Sequence, residues 1–204
     1  GVVALEGESP SAFADVAMSG HNINSGDVYL QDIRNFSVND ITTATDPLFV
    51  DVSGNFTAHD VTTTGGSVHL GAGGNLSAHD ITAPGRIDLF GGAAGTVSVN
   101  KLQSDSMGAA VQGQINIGGG SFSIANNLAA TDQIFIEVNG SISTKGINDT
   151  VTVAPSGSGI YLHSINGGGI TLGGPLPAAA GITVRTDSGT PGATSTGALT
   201  TTGA

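Results

Sequence analysis

The chain contains no cysteine and no tryptophan, and only five of its 204 residues are basic. Each shortage removes a class of protein. Without cysteine there is no disulfide framework and no thiolate metal site. Five Lys and Arg stand against sixteen Asp and Glu, a formal charge of -11. A duplex or an anionic membrane needs clustered basic side chains, so no nucleic-acid partner is expected. No apolar run approaches the ~18 residues that would cross a bilayer as a helix. No stretch holds apolar residues at i, i+3, i+4 and i+7 for the length a helix requires. The first residues, Gly1 to Glu8, lack an initiator Met and the basic start of a signal peptide, so the chain reads as a piece of something longer. Charged residues make up only 10%, but a hydrophobic content of 38% with 33 Gly and 7 Pro is too rich in apolar residues for a disordered chain.

What is present is a repeat. Asn35-Phe36-Ser37-Val38-Asn39-Asp40-Ile41-Thr42 returns as Asn55-Phe56-Thr57-Ala58-His59-Asp60-Val61-Thr62, and again as Asn75-Leu76-Ser77-Ala78-His79-Asp80-Ile81-Thr82. A looser fourth copy, Thr96 to Gln103, follows one residue late. A fixed period of this kind indicates one supersecondary unit repeated and stacked. Within each unit, large apolar residues alternate with small polar ones, the mark of short strands with one buried face. Val28 and Leu30, Phe36 and Val38, then Ile41 make the first clear coil, with Val50 and Val52, Phe56 and Ala58, then Val61 as the next. Gly54, Gly65-Gly66, Gly73-Gly74, Gly85, Gly91-Gly92 and Gly95 fall between the runs, where positive φ at tight corners is the expected reason.

Hairpins would point equivalent residues of successive repeats in alternating directions. A parallel coil places each directly over the next, ~4.8 Å away, and so rewards strict repetition. The expected fold is all-β: a right-handed parallel β-helix, or β-solenoid, of about 20 residues per coil and roughly eight to nine coils. Residues 1–23 read as an irregular N-terminal segment or degenerate first coil, 24–186 as coils, and 187–204 as a Gly/Thr-rich terminal coil continuing into a missing or neighbouring part. Phe36, Phe56, Leu76, Val97, Phe122, Ile142 and Ile160 are expected to form one internal stack. Asn35, Asn55 and Asn75 should form a corner ladder, amide bonding to amide along the axis. Later coils are looser, with an expansion near Met107–Gln112, an inward Ile147, and a bulging loop at Pro175–Ala180. Leu199-Thr200-Thr201-Thr202-Gly203 repeats Val61 to Gly65, so self-association or continuation of the same solenoid is expected at the coil ends.

Gly54 to Leu70 and Gly74 to Leu89 share the form G-N-φ-x-A-x-D-φ-T, where φ is apolar. These coils resemble the shaft repeats of the filamentous-haemagglutinin family of two-partner-secreted exoproteins and of related autotransporter adhesins, over roughly residues 24 to 186. The Asn-Pro-Asn-Gly and Asn-Pro-Asn-Leu signatures of that family's secretion domain do not occur in this sequence. The resemblance implies a shaft segment of a secreted, cell-surface adhesin. It further implies host or cell-surface glycans as partners, and an outer-membrane transporter for the full-length protein.

For chemistry, the sharpest candidates are His59-Asp60 and His79-Asp80. Stacked one coil apart, with Asp40 above, they would gather two imidazoles and three carboxylates, donors suited to zinc or calcium. The plainer reading turns Ala58 and Val61 inward and leaves His59 and Asp60 facing water at a corner, with Lys101 in the fourth copy relieving carboxylate repulsion. No catalytic residues are assigned and no cofactor is expected. Arg34, Arg86, Lys101, Lys145 and Arg185 are scattered singly, and the denser acidic group of Asp27, Asp32, Asp46 and Asp51 has the look of turn residues. The Thr groups at 42–43, 62–64, 82 and 200–202 read as strand-end hydroxyls rather than an ice-binding array. A structural or adhesive solenoid is the expected role. The alternative is a carbohydrate-binding or polysaccharide-degrading β-helix.

Overall fold

A computed structural model describes residues 2–5, 15–44, 48–104, 113–126, 128–144, 151–153, 159–166, 168–173, 176–178, 181–187, 194–195 and 199–201. The chain opens with β1 (Val2–Leu5) and β2 (Val16–Ser25). Four regular turns follow: β3 (Asp27–Ile33) with β4 (Phe36–Thr43), β5 (Leu48–Val52) with β6 (Phe56–Thr63), β7 (Val68–Ala72) with β8 (Leu76–Ala83), and β9 (Ile87–Phe90) with β10 (Thr96–Ser104). Beyond them the long second strand of each turn divides in two. One such turn is β11 (Gln114–Gly119), β12 (Ser121–Ile124) and β13 (Leu128–Ala130), and the next is β14 (Gln133–Val138), β15 (Ile142–Thr144) and β16 (Val151–Val153). Then come β17 (Gly159–Ser164), β18 (Ile170–Leu172) and β19 (Leu176–Ala178), and last β20 (Ile182–Thr186), β21 (Thr194–Ser195) and β22 (Leu199–Thr201). Every pairing is parallel, and no helix occurs among the described residues. The protein is a β-solenoid.

Three faces wrap the core. The first face is a sheet nine strands deep, in the order β1-β3-β5-β7-β9-β11-β14-β17-β20. Its register aligns Val28, Leu48, Val68, Ile87, Ile115, Ile134, Ile160 and Ile182, so seven steps, about seven turns, separate β3 from β20. The second face aligns Phe36, Phe56, Leu76, Val97, Phe122, Ile142 and Ile170. The third takes the far halves of the bent strands, with Ile41, Val61, Ile81, Leu102, Leu128 and Val151 in register. Of these inward residues, all whose side chains are described are buried up to Ile170, and together they form one continuous hydrophobic core running along the axis. Parallel sheets of this kind need cover on their inner face, and each face covers the other two.

The strand bends because two successive residues point outward. In β6 the alternation is strict until His59 and Asp60, which both face solvent, after which Val61 and Thr63 turn inward again. The same break occurs at Asn39-Asp40, His79-Asp80 and Asn100-Lys101. Thr43 and Thr63, the last residues of β4 and β6, fill a second inward position on the third face, continued by Ala83 and Ser104, so these strand-end Thr are also core residues.

Four expectations about the strands need correction. Ile160 does not join the Phe36 stack: it lies on the first face beside Ile134, and Ile170 takes the stacked place. Val151 and Val153 alternate like the opening strand of a further coil but pair with Leu128 and Ala130 on the third face, so alternation alone runs one face ahead after residue 144. Extra residues there shift the phase, and period-two alternation looks the same on every face. On the first face, Leu48 and Val50 rather than Val50 and Val52 align with Val28 and Leu30. Residues 176–178 form β19, paired with β22, where a loop was expected.

The corner glycines serve close approach rather than positive φ. Positive φ occurs at Gly20, Gly119, Gly159 and Gly169, and at none of the glycines cited for it. A Cβ on Gly74 would instead lie 2.5 Å from Asn55 Oδ1, inside the corner ladder. That ladder also differs in its bonding. Each Asn accepts through Oδ1 from the backbone N–H of the next coil: Asn55 to Asn35 at 2.7 Å, Asn75 to Asn55 at 2.8 Å, Thr96 to Asn75 at 2.9 Å. Met107–Gln112, Ile147, Lys145, Asp46 and Gly203 lie outside the described residues.

Candidate functional site

Stacking brings His59, Asp60, His79 and Asp80 together as one outward ladder on the bend of β6 and β8. The imidazole rings of His59 and His79 lie 4.9 Å apart and parallel to within 2°. His59 Nδ1 is 3.3 Å from Asp40 Oδ1 and 3.4 Å from Asp60 Oδ1; His79 Nδ1 is 3.4 Å from Asp60 Oδ1 and 3.2 Å from Asp80 Oδ1. With the proton on Nδ1, His59 donates to Asp40 and His79 to Asp60, while the same nitrogens lie beside the Asp60 and Asp80 carboxylates of their own rungs. Asp40 and Asp60 also accept the backbone N–H of the following Asp, each at 3.2 Å. At the fourth copy Asn100 donates to Asp80 Oδ1 at 2.8 Å, so Asn100 ends the ladder, with Lys101 aligned beside Asp80.

This arrangement bears on metal binding. One ligand atom each from His59, Asp60 and His79 fall within 4.8 Å of one another. An ion held by an imidazole nitrogen sits in the plane of that ring, and two parallel rings share no such point. Tetrahedral zinc with bonds of ~2.0–2.1 Å also needs ligand atoms roughly 3.3–3.4 Å apart. One ring would have to turn out of the stack before both could hold one ion. Beside the ladder runs an open groove of about 480 Å³, where Thr57, Ser77 and Ser98 present hydroxyls next to His59, His79 and Asn100.

The first face carries a second set of groups that pattern reading passed over. Its outward column is aromatic: Tyr29 stacks on Phe49 at 4.9 Å, and Phe49 on His69 at 4.7 Å. Two rungs then lack a ring in that column, Asp88 and Asn116, after which Phe135 stacks on Tyr161 at 4.7 Å. Next to Tyr161 is His163, whose side chain is only 8% exposed and stands between two carboxylates. Its Nδ1 is 3.0 Å from Glu137 Oε2, and its Nε2 is 3.2 Å from Asp187 Oδ2. Tyr161 Oη lies 3.3 Å from the same Nδ1. Burial pushes the Asp187 carboxyl up, but the close approach of His163 Nε2 and the hydrogen bond from Arg185 Nε at 2.9 Å outweigh it and hold the group below its ordinary value of 3.8. The available signal was a period-two alternation whose outward members, at 29, 49, 135 and 161, are themselves aromatic.

No family model, curated protein or solved structure matches the chain.

Proposed function

We propose that this chain is a structural and adhesive segment of an extracellular β-solenoid, either a length of shaft in a large bacterial surface adhesin or a subunit of a stacked filament. The observation that carries the reading is the single hydrophobic core, running from Ile23 to Leu172 beneath two faces nine strands deep. At ~4.8 Å per strand that stack is about 38 Å long, and every rung is bonded to both neighbours, the construction of a stiff spacer. The outward ladders of Asn and of His with Asp spend their polar groups on adjacent rungs. The coil motif shared with filamentous-haemagglutinin shafts points the same way. Antibodies raised against the chain should label intact cells of the source organism along extended surface structures. Labelling confined to lysed cells would overturn the proposal.

The outward stack of Phe135 on Tyr161, with exposed Phe90 nearby on the same face, favours a second reading compatible with the first, a solenoid that binds carbohydrate. Incubation with neutral and acidic polysaccharides separates binding from degradation. Chain cleavage abolished by Glu137→Gln or Asp187→Asn would replace the adhesive role with a catalytic one.

A further inference from the structure

The ring column of the first face is interrupted at β9 and β11, and the gap beside Phe135 is a notch. Phe135 rests one face on Tyr161, and its register partner on the other side is Asn116, which has no ring. Phe90, 41% exposed, leans over Gly118, where a Cβ would come within 3.1 Å of its Cδ1. A side chain at 118 would lift Phe90 and fill the space between the two rings. The depression between Phe90 and Phe135 measures about 280 Å³ and is bordered by Arg86, Asn116 and Glu137. These polar groups are oriented: Arg86 Nε donates to Asp88 Oδ1 at 2.6 Å, and Asn116 Nδ2 to the same oxygen at 2.9 Å.

We propose that this notch binds a single pyranose residue of a neutral glycan. A pyranose has apolar C–H faces and a polar rim. Its electropositive C–H bonds suit the negative faces of aromatic rings, and its hydroxyls suit a carboxylate, an amide and a guanidinium held at the border. The volume lies just below the ~300–1,000 Å³ of pockets for drug-sized ligands, the scale of one sugar ring rather than a chain. Charge selects among sugars. Arg86 is already matched by Asp88, and Glu137, which shares His163 with Asp187, adds a half-exposed carboxylate to the border of a chain of net charge -11. A uronate would meet repulsion where a neutral hexose meets an acceptor. The inference gives a ligand to the adhesive reading and rests on that reading for its biological setting, while its chemistry can be tested apart from it.

The test is titration of the purified chain with gluco-, manno-, galacto- and N-acetylglucosamine hexasaccharides and with hexagalacturonate, followed by calorimetry. Binding of at least one neutral oligosaccharide is expected. Phe90→Ala should weaken it at least tenfold and Glu137→Gln several-fold, whereas Tyr29→Ala, on the same face several rungs away, should leave it unchanged. Gly118→Ala, which displaces Phe90, should weaken binding with little change in the melting temperature. No binding to any neutral oligosaccharide at millimolar concentration would overturn the proposal. So would preference for the uronate, or equal losses from Tyr29→Ala and Phe90→Ala. If Phe90→Ala abolishes self-association and has no effect on sugar binding, the notch holds a protein side chain and the proposal fails. Surface labelling of cells is independent of these outcomes, so loss of the notch and loss of the extracellular role are distinguished.

Discussion

The turns from β3 to β10 and those from β11 to β20 share one core and differ in everything outside it. In the first group the inward residues of the first face fall at 28, 48, 68 and 87, a step of 19 or 20 residues. In the second they fall at 115, 134, 160 and 182, with steps of 19, 26 and 22. A constant step places like residues over one another, and the result is ladders: Asn on Asn, His on His, Asp on Asp. A variable step allows the outer residues to change from coil to coil. Glu137, Tyr161, His163 and Asp187 meet there although Glu137 and His163 are 26 apart in sequence. Repetition in this protein yields ladders of like side chains, and unlike side chains gather where the repeat loosens.

If the two regions share one core, truncation should hurt both equally. Phe56→Ala in the regular part and Phe122→Ala in the looser part each remove a fully buried ring, and each should cost about 3–5 kcal/mol. Denaturant unfolding followed by circular dichroism measures this. A cost at Phe122 below half that at Phe56 would show that the looser turns are less tightly packed. A smaller effect sharpens the register. Ile160→Ala should cost about 2–5 kcal/mol and couple to Ile134→Ala by 0.5–3 kcal/mol in a double-mutant cycle, because the two are adjacent on the first face. Coupling of Ile160 to Ile142 instead would restore the stack expected from the sequence.

The repeat made the fold legible because Phe56, Ala58 and Val61 recur with their spacing intact in Leu76, Ala78 and Ile81. It made the His–Asp pairs legible for the same reason, since a period of 20 assigns them to one ladder without any knowledge of the corner. Beyond residue 144 alternation still marked Ile160 and Leu162 as inward, yet inwardness carries no label for which of three faces a strand occupies. The aromatic face went unread for a different reason. Tyr29, Phe49 and His69 lie outside the repeated eight-residue motif and are three different residue types, so they form a column only once the register is known.

Polar links of the two regions should respond on smaller and different scales. Asn55→Ala removes the acceptor of the Asn75 N–H and should cost about 0.5–1.5 kcal/mol, measured as a shift in unfolding midpoint. At Asp187 the effect is one of pH. A carboxyl held below its ordinary value stabilises the fold at pH above the unfolded pKa, and that contribution is lost as pH falls through the lower folded value. The difference in melting temperature between the protein and Asp187→Asn should therefore shrink as the solution is taken below the ordinary Asp value of 3.8. A difference that grows on acidification would mean that His163 and Arg185 do not hold this carboxylate.

The smallest effect is expected at the ladder that the sequence marked most clearly. His59 and His79 have side chains 58% and 52% exposed, and their contacts to Asp40, Asp60 and Asp80 are shared among partners that remain when one ring is removed. Exposed pairs of this kind are worth about 0–1 kcal/mol, so His59→Ala should cost under about 1 kcal/mol, several-fold less than Phe56→Ala. Zinc discriminates between the two uses of the ladder. Ligand at 100 times its dissociation constant stabilises by about 2.7 kcal/mol. Rings held parallel leave the ladder as a hydrogen-bonded seam, and the melting temperature should then be unmoved by zinc at about 100 µM. A rise abolished equally by His59→Ala and by His79→Ala would show that one ring leaves the stack to share an ion with the other. The seam would then be a metal site after all, and Asp60, which lies within reach of both rings, would be its third ligand.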